Sequence, residues 1–87
     1  MKTIGLIGGM SWESSAVYYS LINREIRELL GKSHSASCLM YSFDFQDIEE
    51  LQYAGDWAAL RKRMFAAGRS LKAAGAELLV LCTNTMH

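Results

Sequence analysis

Three short apolar runs alternate with two stretches of helical periodicity, and few folds accept that order in so short a chain. Thr3 to Ile7 is apolar and ends in Gly8-Gly9, which reads as a buried strand entering a tight turn. From about Glu13 the period changes: Val17, Leu21, Ile22, Ile26, Leu29 and Leu30 recur at helical spacing with Asn23, Arg24, Arg27 and Glu28 between them, which predicts a helix with one buried face. Ser11 suits its N-cap and Gly31 its stop. Ser35 to Phe45 is the second expected strand, followed by a short helical turn around Asp47 to Leu51. Gly55-Asp56 opens a longer helix whose buried stripe is expected to hold Trp57, Leu60, Met64, Ala67, Leu71 and Ala74, with Gly75 at its end. Glu77 to Cys82 contains Leu78-Leu79-Val80-Leu81, a run typical of a strand covered on both faces. Strand, helix, strand, helix, strand, joined by long crossovers, predicts an α/β fold with a parallel sheet flanked by helices.

Composition narrows the class. At 87 residues the chain makes at most one small domain. With 51% hydrophobic and 21% charged residues it reads as globular rather than disordered. Nine basic and nine acidic residues leave no net charge, which argues against nucleic acid as the main partner. Gly5, Gly8 and Gly9 interrupt the first apolar stretch too early for a secretory signal, and no run approaches the ~20 apolar residues that span a bilayer. Cys38 and Cys82 lack the spacing of a disulfide framework and suit a reducing, cytoplasmic setting. The sequence stops at Thr83-Asn84-Thr85-Met86-His87 directly after a strand, so the expectation is a fragment, residues 1–87 being the N-terminal portion of a domain.

In open α/β sheets ligands gather at the carboxyl ends of the strands. Three segments reach that edge: Gly8 to Ser14, Asp44-Phe45-Gln46, and Cys82 to His87. The first is a glycine turn entering a helix, where free N–H groups and the helix dipole favour a carboxylate or phosphate. Its glycines do not match dinucleotide spacing and no Gly-Lys-Ser/Thr follows, and an ordinary strand-to-helix turn needing unusual backbone angles is the plainer reading of them. Thr83, Asn84 and Thr85 offer hydroxyls, an amide and backbone donors able to hold a carboxylate, a stronger signal than the glycines; a polar loop with Asx-type turns explains them equally. Cys82 and Thr83 point to opposite faces because side chains alternate along a strand, so one of the two faces a given pocket. Cys38 reads as a small core residue, His34 and His87 lack metal-ligand spacing, and Trp12 and Trp57 read as packing residues.

Ile4 to Ser14 and Leu81 to His87, at this separation, resemble the aspartate/glutamate racemase superfamily, in particular its bacterial branch with L-aspartate/glutamate or broader amino-acid activity. Asp44-Phe45, Ile48-Glu49 and Gln52, ahead of Gly55-Asp56-Trp57, look like the intervening segment, so the resemblance covers the whole chain. It implies two similar α/β domains facing each other across a cleft, a small-molecule amino-acid substrate, no pyridoxal phosphate or metal, and pairing into homodimers. It also implies two-base chemistry, in which one cysteine takes the α-proton while the opposite one returns a proton on the other face. Relatives commonly place cysteine directly before Asn-Thr; here Thr83 stands there and Cys82 one residue earlier. The resemblance therefore implies Thr83 as the catalytic residue, with Cys82 as the alternative, and Met10, Ser11, Gln52, Thr83, Asn84 and Thr85 as substrate-binding residues. Competing readings are a maleate-isomerase-like or arylmalonate-decarboxylase-like reaction in the same cleft, or a non-catalytic anion-binding module. The isolated fragment is expected to be inactive, because the second thiol lies elsewhere.

Overall fold

The centre of the computed structural model, which describes residues 1–82, is the strand β1 (Ile4–Gly8). On either side lie β2 (Cys38–Ser42) and β3 (Leu78–Leu81), both parallel to it, giving the order β2-β1-β3. Ile4 stands opposite Cys38 and Leu78, and Ile7 opposite Tyr41 and Leu81, so the carboxyl ends of all three strands finish at one edge. The helices are α1 (Trp12–Leu30), α2 (Phe45–Ala54) and α3 (Trp57–Ala73). This is the α/β architecture the alternation predicts. No helix among the described residues is long and apolar enough to cross a membrane.

Local chemistry sets the element boundaries. Asn23 donates to the Tyr19 carbonyl at 2.9 Å and accepts the Ala36 N–H at 2.8 Å, which ties the approach to β2 onto α1. The ladder therefore starts at Cys38 rather than at the expected Ser35. At its far end Asp44 leaves the strand to cap α2, its carboxylate accepting the Gln46 N–H at 3.1 Å. The expected short turn is thus a helix of 10 residues. Gly55, in the left-handed region at φ 69°, ends it, and Asp56 starts α3 by accepting the Ala59 N–H at 3.1 Å.

The core lies on the α2/α3 side of the sheet, where Ile7, Met10, Ile48, Leu60, Ala67, Leu71 and Ala76 pack together. A Cβ on Gly5 would meet Ala76 and Leu79 side-chain carbons within 3 Å, so this glycine lets α3 and its following turn approach β1. Residues alternate along β1, so Leu6 and Gly8 face the other side, where α1 begins. Several expectations about burial do not hold; Ala74 of the expected stripe and Trp12, read as a packing residue, are exposed. Along α1 only Ser15 is buried, and Val17, Leu21, Leu29 and Leu30 of the expected buried face are exposed. Trp57 is exposed at the mouth of α3, and Leu78, Leu79 and Leu81 keep more than 40% of their surface. Contact between α1 and β1 is sparse, and β3 is an edge strand of the described sheet. The radius of gyration, 14.0 Å, exceeds the ~12 Å of a compact chain of this length accordingly.

Candidate functional site

The carboxyl edge of the sheet is assembled by backbone bonds radiating from β1. The Gly8 carbonyl accepts the Phe43 N–H at 2.9 Å on the β2 side, and the Ile7 carbonyl accepts the Cys82 N–H at 2.8 Å on the β3 side. All three segments singled out from the sequence therefore begin within one ladder step of the end of β1. Gly9 follows with φ 90°, and a Cβ there would collide with the Phe43 backbone, so the turn requires glycine on two counts.

Ser11 occupies the N-cap position of α1, as its sequence context predicts, but its side chain makes no capping bond. The helix start is held from inside instead. Ser15, 3% exposed, accepts the Gly9 N–H on its hydroxyl at 3.0 Å and donates to the Ser11 carbonyl at 3.4 Å. Ser11 is left half-buried with its hydroxyl not engaged in capping. Sequence reasoning passed over Ser15; the available signal was a small hydroxyl residue one helical turn beyond Ser11, on the face that meets the glycines.

Met10 follows Gly9 at the turn. Its side chain is fully buried and packs in the core with Ile7 and Ile48, so it projects inward rather than toward a ligand. Contact with a substrate from this position is confined to its backbone. Gln52 lies in the last turns of α2, half-buried, its carbonyl accepting the Gly55 N–H at 3.1 Å. The length of α2 separates it from Asp44 by roughly 12 Å along the axis. Thr83, Asn84 and Thr85 lie outside the described residues.

Cys82 is fully buried, on the same side of the sheet as Gly8 and Ser15: a Cβ on Gly8 would stand 3.9 Å from its Cβ. Its sulfur lies 3.9 Å from the Val80 carbonyl. Burial pushes the thiol's pKa up. A base needs the thiolate, and a raised pKa depletes it at neutral pH. Cys38, half-buried at the start of β2, belongs to the opposite end of the sheet.

Two comparisons bear on this arrangement. The Asp/Glu/hydantoin racemase family matches residues 7–87. A solved structure titled "Crystal structure of a putative Asp/Glu Racemase from Yersinia pestis" superposes on all of this chain with a TM-score of 0.96 and 54% sequence identity. The chain spans 38% of the length of that protein. With the glycine turn, the parallel sheet and the Leu81-Cys82 segment all inside the match, the chain belongs to the Asp/Glu/hydantoin racemase family.

Proposed function

We propose that this chain supplies one wall of an amino-acid racemase that acts on aspartate, glutamate or a broader set of amino acids by two-base proton transfer at the α-carbon, in the cytoplasm and without pyridoxal phosphate. The observation that carries the reading is the family match over residues 7–87, joined to a fold whose carboxyl edge gathers the Gly8–Ser11 turn and Cys82 around one strand end. A thiolate on the opposing wall removes the α-proton, leaving a carbanion stabilised through the substrate carboxylate. Thr83 donates or relays a proton to the other face; solvent then returns a proton to its oxygen and takes the abstracted proton from the opposing thiol, so the substrate is inverted with no net gain or loss of atoms. A hydroxyl is a weaker acid than a thiol, and this asymmetry favours one enantiomer as substrate.

The buried, pKa-raised state of Cys82 supports giving the role to Thr83 rather than to its neighbour. Ser11, Asn84 and Thr85, with the backbone of Met10 and the Gln52 amide, hold the substrate's carboxylate and amino groups. Ser11 suits this because its hydroxyl is not spent on the helix.

The test is proton exchange at the α-carbon. The full-length protein is incubated in deuterated water with L- and D-aspartate, L- and D-glutamate and neutral amino acids, and α-deuterium is followed by NMR. Incorporation together with inversion supports the reading. Turnover of maleate or an arylmalonate with no α-deuterium in any amino acid would replace it with another superfamily reaction.

A further inference from the structure

At the end of the molecule remote from the carboxyl edge, the second half of α1 and the connection to β2 enclose an open cleft of about 780 Å³. Arg24, Arg27 and Lys32 line it together with His34, Ser33 and Ser35, and no carboxylate does. Among the described residues the ion pair seen joins Arg63 to Asp47 at 3.6 Å, so none of these cations is held in an ion pair there. We propose that this cleft binds a small phosphorylated anion, a site separate from the racemase edge.

The cleft is built before any ligand arrives. Asn23 clamps its far lip by bonding both Tyr19 and Ala36, the Gly31 N–H donates to the Arg27 carbonyl at 2.7 Å, and the His34 N–H donates to the Gly31 carbonyl at 3.2 Å. Lys32 adopts φ 52°, the one left-handed non-glycine backbone among the described residues. A lysine occupies that region at a cost glycine would avoid. Complementing the helix dipole accounts for Arg27 in the last turn, but not for Arg24 a turn earlier or for hydroxyls inside the same concavity. Paired guanidiniums with hydroxyl donors match the oxygens of a phosphate. Cations converging on one concavity in a chain of zero net charge fit a small ligand better than a polynucleotide, which needs a broad positive surface.

Calorimetric titration of the full-length protein at physiological ionic strength tests this, with inorganic pyrophosphate, adenosine monophosphate and a short single-stranded oligonucleotide as separate probes. Saturable binding of pyrophosphate or the monophosphate is expected, weakened about tenfold or more by Arg24→Gln/Arg27→Gln. Arg61→Gln/Arg69→Gln removes the same charge from the exposed face of α3 and is expected to change the affinity by less than about twofold. All four arginines are exposed, so both variants are expected to fold, and unfolding midpoints check this. No saturable binding, or equal weakening by both variants, would overturn the proposal. Tighter binding of the oligonucleotide than of either small probe would overturn it in favour of a nucleic-acid surface. Because the readout is binding at a remote cleft, loss of racemase activity leaves it untouched.

Discussion

The hydroxyl of Ser15 accepts the backbone N–H of Gly9 at 3.0 Å, across a turn in which Gly9 itself tolerates no Cβ. One buried side chain thus fixes both ends of the β1–α1 connection, because the same oxygen reaches the Ser11 carbonyl at 3.4 Å. Removing it leaves the Gly9 donor buried without a partner. Ser15→Ala is therefore expected to cost about 1–3 kcal/mol, measured by denaturant unfolding. A loss within about 0.3 kcal/mol would mean that the bond contributes nothing net.

Gly9→Ala is expected to do more damage than Ser15→Ala. It sets a Cβ against the Phe43 backbone and forces an L-residue to φ 90°. Strain of this kind costs of order 1–3 kcal/mol before the steric contact is counted. An unfolding midpoint equal to wild type would show that the turn relaxes freely, contrary to the geometry described.

Burial separates two apolar residues that look alike in sequence. Ile48→Ala removes a fully buried core side chain and is expected to cost about 2–5 kcal/mol. Leu29, 77% exposed on α1, is expected to cost under about 0.5 kcal/mol on the same change. Similar losses at both sites in this chain would put the α1 stripe in a core.

Cys82 titrates above its ordinary range because burial disfavours its thiolate. The folded state therefore holds that proton at pH values where the unfolded chain has lost it. Its contribution to stability is complete below the unfolded pKa of roughly 8.5 and declines as pH rises through the higher folded value. Stability measured from neutral to alkaline pH should fall less steeply in Cys82→Ala than in wild type, on top of any cavity cost. Identical slopes would contradict the burial of this thiol.

The order of the fold was legible because apolar runs alternate with helical periods and glycines follow β1 and α1; the capping of α2 by Asp44, inside the segment that reads as strand, was not. What escaped the pattern depended on side chains that act across elements. Asn23 shortens β2 from a helix thirteen residues upstream of its bonding partner, which no window along the strand detects. Val17 and Leu29 carry the period of a buried face, but periodicity specifies which residues share a face, not what covers it. Met10 sits in a segment whose backbone turns at the site edge, while its apolar side chain follows the hydrophobic gradient into the core. The glycine turn and the Leu81-Cys82 segment were readable as a site only as separate motifs, and the bond from the Cys82 N–H to the Ile7 carbonyl is what joins them.

The central claim is that Thr83, and not Cys82, carries proton transfer on this wall. The direct measurement is α-deuterium incorporation into glutamate or aspartate by the full-length protein carrying Thr83→Ala or Cys82→Ala, followed from each enantiomer in turn. The account predicts that Thr83→Ala lowers inversion by about a hundredfold or more, whereas Cys82→Ala retains it within a few-fold. Full activity in Thr83→Ala with loss in Cys82→Ala would contradict it and move the role to the thiol.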